Sequence, residues 1–198
     1  ALLLAALGMR LWDLGAQAIH HDESLHAVYS WYLSEGRGYT HDPLMHGPFQ
    51  FMGTSLLYRI FGDSDAVARV LPALFGTVLV AVPMLFRSYL GRMGGLATSL
   101  LLAFSPTMLY FSRFARNDIY VAVWTLVIVA FLWRYMDSRK SRYLVFAAIV
   151  FAFLFSTKET AYLLVVIIGS YLVFLAARDV FPWLVGRKSL RNFSPAGE

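Results

Sequence analysis

Long apolar stretches separated by short charged ones set the pattern of this chain. Residues 66–86, 96–111, 119–133, 144–155 and 161–177 form apolar runs. Lipid cannot satisfy open backbone groups, so each run is expected to be helical. Several fall short of the ~20 residues that a crossing requires, and flanking Arg, Lys and Trp that snorkel to the interface complete the length. The opening run, 1–9, reads as the outer end of a further spanning helix. Pro72, Pro83 and Pro106 are expected to kink their helices rather than end them.

Two intermediate stretches carry a different pattern. Across 23–35, Leu25, Val28, Tyr29, Tyr32 and Leu33 recur at helical spacing and Gly36 follows as a stop. That is an amphipathic helix lying on the membrane. Across 48–61, Phe49, Met52, Leu56 and Ile60 share one stripe, with Gly62 after it. A crossing is open for this second helix on length alone, and topology has to arbitrate. If it lies flat, Arg87 and Arg92, then Arg134, Arg139, Lys140 and Arg142, then Arg178, Arg187, Lys188 and Arg191 share one side, with only Asp137, Asp179 and Glu198 as acids. Such a side is cytoplasmic by the positive-inside rule. A crossing would instead flip the later segments relative to the first loop.

The composition agrees: 59% hydrophobic and 15% charged residues make the membrane the expected solvent. The net charge of +5 follows from cytoplasmic anchoring and calls for no nucleic acid. Cysteine is absent, so a metal would have to sit on His, Asp or Glu. The expected organisation is an all-α membrane protein with about six transmembrane helices and two juxtamembrane helices in the first outer loop, 19–65. Residues 1–180 form this module, and 181–198 a basic cytoplasmic tail or the start of a cut loop.

The flat reading collects the polar chemistry on the outer face: Asp22, Glu23, Asp42, Arg113, Arg116, Asp118, Lys158 and Glu159. The segment 18–48 also holds every histidine of the chain. Asp22 and Glu23 suit a helix cap and its dipole. They equally suit a general base facing an acceptor hydroxyl, and the two roles are compatible. His41, Asp42 and His46 could hold a divalent cation such as Mg, Mn or Zn, or serve a metal-free loop. In SRFARND (112–118), Arg113 and Arg116 stand one helical turn apart on the face that positive-inside statistics disfavour. A phosphate partner explains them better than snorkelling does. Lys158 and Glu159, between two apolar helices, either pair with each other or line the site.

Together, DE at Asp22 and Glu23 followed by YLSEG, then HDPLMHGPF, ARVLPALFG at 68–76 and SRFARND resemble the GT-C superfamily. The likeness is to protein O-mannosyltransferases, aminoarabinose transferases of lipid A and flippase-associated membrane proteins. The resemblance implies a GT-C helical bundle that moves a sugar, with inversion, from a polyprenyl-phosphate donor to an extracytoplasmic hydroxyl. It implies Asp22 as catalytic base, with Glu23 orienting the acceptor or the base. Arg116 and Arg113 would take the leaving phosphate's charge, assisted by Lys158, while His46, Asp42, Asp118 and Glu159 line the site. Gly47 stands where relatives carry Pro or Lys. The expected location is the cytoplasmic membrane of a prokaryote, with the site outside and the tail inside. A non-catalytic subunit packed against other membrane proteins, and a transporter of an anionic lipid or solute, are the alternatives; the clustering of charge at one face disfavours the transporter.

Overall fold

A computed structural model describes residues 1–40 and 45–184, with the side chains of 179–184 excepted. The described residues are helical, without strands. The order is α1 (Leu2–Leu11), α2 (His21–Ser34), α3 (Phe49–Phe61), α4 (Asp65–Ala68), α5 (Val70–Ala81), a 3-10 turn (Val82–Phe86), α6 (Arg87–Phe104), α7 (Pro106–Ser112), α8 (Asp118–Ser138), α9 (Arg142–Phe155) and α10 (Thr160–Leu184). The chain divides into two compact units, 1–159 and 160–198. The second contributes α10, whose part Thr160–Arg178 is long and apolar enough to cross a membrane. In the first, Asp65–Phe104 and α8 meet the same criterion, and α1 and α9 are shorter apolar helices. The stretch from Asp65 to Phe104 doubles back on itself. Gly91 leaves helical geometry at φ 70°, and beyond it Gly95 lies against Pro83 and Met84.

The prolines behave in three ways. Pro72 occupies the first turn of α5, where a missing N–H costs nothing. Pro83 lies in the 3-10 turn. Pro106 ends a helix, contrary to the expected kink. It forces Ser105 into extended backbone at ψ 121°, and the Ser105 hydroxyl then caps α7. The apolar run 96–111 is therefore two helices.

In α2 and α3 the polar face packs inward and the apolar face points outward. The buried side of α2 is Glu23, His26, Ala27 and Ser30, whereas Leu25 and Val28 are exposed. The buried side of α3 is Gln50, Phe51, Thr54, Ser55 and Tyr58, and Met52, Leu56 and Ile60 face outward. Beside lipid, the outward face is the apolar one. Arg59 ties the pair together by donating to the last carbonyls of α2, Leu33 (3.2 Å) and Ser34 (3.2 Å).

The main core joins α5 and its 3-10 turn to α8 through Leu79, Val82, Phe86, Ile119, Tyr120, Val123 and Ala130. Phe49, the first residue of α3, plugs into this core. Its ring lies 5.5 Å from Phe75, 5.3 Å from Tyr120, 5.5 Å from Trp124 and 6.0 Å from Phe153, all edge to face. Each such pair adds roughly 0.5–1.5 kcal/mol beyond burial. The start of α3, and the His46–Pro48 segment before it, are thereby anchored to α5, α8 and α9.

Candidate functional site

The polar chemistry gathers where α2 begins. Its cap is His20, not Asp22: the His20 Nδ1 accepts from the Asp22 N–H at 3.2 Å, and Glu23 Oε2 accepts from the His20 N–H at 3.1 Å. This reciprocal capping box fixes the turn and releases the Asp22 carboxylate for another partner. Glu23 itself is 1% exposed. Arg69 grips it with two parallel bonds, Nε to Oε1 at 2.9 Å and Nη2 to Oε2 at 2.7 Å. The Ala115 N–H donates to Oε1 at 2.8 Å. Burial pushes the Glu23 carboxyl up, but the Arg69 bond and the backbone donors of Ala115 and His20 outweigh it and hold the group below its ordinary value. The remaining Arg69 donors take the carbonyls of Leu14 (2.9 Å), Gln17 (2.7 Å) and Ala18 (3.1 Å). One ion pair therefore fastens α2, the loop 14–18, the α4–α5 junction and the 113–117 loop together.

That loop is where the structure departs from a continuous helix through SRFARND. Residues 113–117 bend between α7 and α8, and the two arginines diverge. Arg113 turns back to α1, donating to Met9 O at 3.3 Å and Asp13 O at 3.1 Å. Arg116 turns to α2, where its Nη1 lies 3.1 Å from Asp22 Oδ2, both side chains being partly exposed at 37% and 45%. A single Nη1 bond engages its side chain among the described residues.

Two further ion pairs lie alongside. Lys158 Nζ meets Asp118 Oδ1 at 2.7 Å, and Glu159 Oε2 meets His46 Nδ1 at 2.7 Å. Lys158 and Glu159 thus turn to different partners rather than to each other. For Glu159, burial raises the carboxyl, but a backbone donor and the His46 bond together bring it below its ordinary value. His46 has left-handed backbone at φ 64°. The segment after it is pinned to the turn before Lys158 by Gly47 N–H to Thr157 O (3.1 Å) and Phe49 N–H to Ser156 O (2.8 Å). Gly47 is required here because a Cβ would collide with the Ser156 carbonyl.

Beneath these pairs sits His26, 6% exposed, with its ring 5.3 Å from Phe51. Burial, then the positive charges of His46 and Arg116, drive its pKa down to about 4 against the opposing pull of Asp118 and Asp22. It is neutral at physiological pH, and among the described residues its Nδ1 has no partner. Asn117, between Arg116 and Asp118, is 1% exposed, and neither end of its amide is hydrogen-bonded among the described residues.

Asp22, Arg116, Asp118, Lys158, His46 and Glu159 therefore come together from four parts of the chain, while Glu23 and Arg113 hold elements in place. His41 and Asp42, expected at a metal or lining the site, lie outside the described residues. Among the described residues no cluster of three His, Asp or Glu could hold a metal ion. Arg69, His26 and Asn117 did not stand out as site residues. For Arg69 the signal was its presence as the lone charge in an apolar run, which in a membrane helix end demands a partner.

No curated protein and no solved structure matches this chain. The dolichyl-phosphate-mannose-protein mannosyltransferase family matches across residues 45–197. That match takes in α3 through α10 and all the site except the α2 residues, and the apolar helices place the molecule in a membrane. With most of its length and most of its ion-pair cluster inside the match, the chain belongs to the dolichyl-phosphate-mannose-protein mannosyltransferase family and is an integral-membrane glycosyltransferase of the GT-C type.

Proposed function

We propose that the chain transfers a sugar, with inversion, from a polyprenyl-phosphate donor to an extracytoplasmic hydroxyl, at a site built on Asp22 and Arg116. The observation that carries this reading is the 3.1 Å contact between these two side chains, 94 positions apart in the chain. An acid and a guanidinium side by side at one end of the spanning helices are what such a displacement uses.

Asp22 accepts the proton of the acceptor hydroxyl as its oxygen attacks the anomeric carbon. The bond from that carbon to the phosphate oxygen breaks, and its electron pair leaves with the polyprenyl phosphate. Negative charge grows on that oxygen. Arg116, with most of its donors unengaged, and Lys158 receive it. Donor binding then requires the phosphate to displace Asp22 from Arg116, which frees the carboxylate at the moment a base is needed. Glu23 positions Asp22 without touching substrate, since its oxygens are committed to Arg69, Ala115 and His20. The site faces outward from a prokaryotic cytoplasmic membrane, with the basic connections inside. A divalent cation at His46, with His41 and Asp42, belongs to this reading only as an addition, to be tested by chelation.

The test is transfer of a labelled sugar from a polyprenyl-phosphate carrier by the full chain in vesicles. Asp22→Asn should lower kcat by roughly 10²–10⁴-fold, and Arg116→Ala by on the order of 10²–10³-fold. Equal turnover by both variants and the parent would remove this pair from the mechanism.

A further inference from the structure

Beside the Asp22–Arg116 contact, but lined by neither residue, is a cavity of about 650 Å³. That is within the range of about 300–1,000 Å³ typical of ligand sites. His20 and Glu23, on the same turn as Asp22, form part of its wall, so a ligand held there lies within a residue of the proposed base.

Its lining indicates the class of ligand. Trp12, Tyr110 and Phe114 supply aromatic surface. Trp12 is 77% and Tyr110 55% exposed, although both are large and apolar. The Tyr110 and Phe114 rings stack at 5.5 Å and 23°, and the His20 ring tilts onto Phe114 at 5.6 Å. Around this platform stand Asp13, Gln17, His20 and Arg113. The Asp13 carboxylate forms no ion pair among the described residues. Because the His20 Nδ1 accepts the capping bond, the neutral ring carries its hydrogen on Nε2 as a donor.

Charge and backbone narrow the choice. Glu23 and Arg69 neutralise each other, and Asp13 offsets Arg113, so the lining has no net attraction for an anion. A polypeptide would be recognised through main-chain hydrogen bonds. The wall carbonyls of Leu14, Gln17 and Ala18 each already accept a bond from Arg69, which makes them poorer partners for a peptide N–H. Aromatic side chains beside a carboxylate, an amide, an imidazole and a guanidinium suit a neutral polyhydroxylated ring, whose C–H face lies on an aromatic ring while its hydroxyls meet the polar groups.

We infer that this cavity holds a neutral sugar ring of the acceptor, so that the hydroxyl presented to Asp22 belongs to a glycan rather than to a protein. The inference rests on the transferase reading for the role of the site, but its binding step is measured without donor. The experiment is saturation-transfer NMR on the detergent-solubilised full chain. The probes are methyl glycosides of neutral hexoses, a methyl hexuronide, and a serine-containing heptapeptide. Ring protons of at least one neutral hexoside should receive saturation, the hexuronide and the peptide little. Trp12→Ala and Tyr110→Ala should weaken that binding by up to about tenfold each, and Trp12→Phe should retain it. Absence of saturation for every neutral hexoside, unchanged saturation in both alanine variants, or binding of the peptide alone overturns the assignment. Hexoside binding without any sugar transfer would sink the transferase reading and leave the cavity assignment standing. Transfer to peptide without hexoside binding would do the reverse.

Discussion

Glu23 has four hydrogen bonds and almost no contact with solvent, so its removal should be felt in folding before it is felt in chemistry. Glu23→Gln strands the Arg69 guanidinium in a buried place, and breaking one side of such a pair costs about 3–5 kcal/mol. Thermal unfolding in detergent should register that loss; an unchanged midpoint would show that the pair is not what fastens the loop. His26 predicts a pH dependence of known sign. Its folded pKa of about 4 lies below the ordinary 6.5, so the unfolded chain binds the extra proton between those values. The stability it contributes is full above pH 6.5 and falls by about 3 kcal/mol as the pH drops toward 4. Glu23, also depressed, adds its own loss only below the ordinary carboxylate range. Unfolding midpoints measured from pH 7 to pH 4 should therefore slope downward in the parent and flatten in His26→Asn. At this scale the sequence exposed some chemistry and hid the rest. Arg116 and Lys158 stood out as charges at the ends of apolar runs, and Asp22 as one of two adjacent carboxylates at a helix start. His26 and Asn117 look like ordinary polar residues until burial without partners is seen.

The segment His46–Gly47–Pro48 and the turn 156–159 form one element in space, though they lie over a hundred residues apart. The motif HDPLMHGPF could be picked out by eye, but the reason for its glycine could not, because the atom it avoids is the Ser156 carbonyl. Gly47→Ala should force the two segments apart and loosen both backbone bonds along with the His46–Glu159 contact. Overpacking of this kind costs roughly 1–3 kcal/mol. Limited proteolysis should then cut between α2 and α3 faster than in the parent; equal cleavage would mean the clamp is dispensable. In α2 and α3 the apolar spacing was legible and marked the stripe that points away from the protein, whereas the partners of the polar stripe were not legible. Here the polar stripe packs inward, because the site needs His26 and Glu23 beneath it.

Across unit 1, the two ends of the spanning helices differ in kind. One end carries the contacts Asp22–Arg116, Asp118–Lys158 and His46–Glu159. The other joins Tyr89 to Asp137 and Arg134 to the Leu85 carbonyl at 3.0 Å, with Arg87, Arg139, Lys140 and Arg142 nearby in the chain and, among the described residues, unpaired with carboxylates. Positive charge left uncompensated resists translocation, whereas the first end is balanced acid against base. The balanced end should therefore face outward. The chain has no cysteine, so single introduced thiols report cleanly. Tyr39→Cys, in the loop after α2, should react with a membrane-impermeant maleimide added to intact cells. Ser141→Cys, between α8 and α9, should react only after permeabilisation. The opposite labelling would put the Asp22–Arg116 pair on the cytoplasmic side, where a donor presented outside the membrane could not reach it.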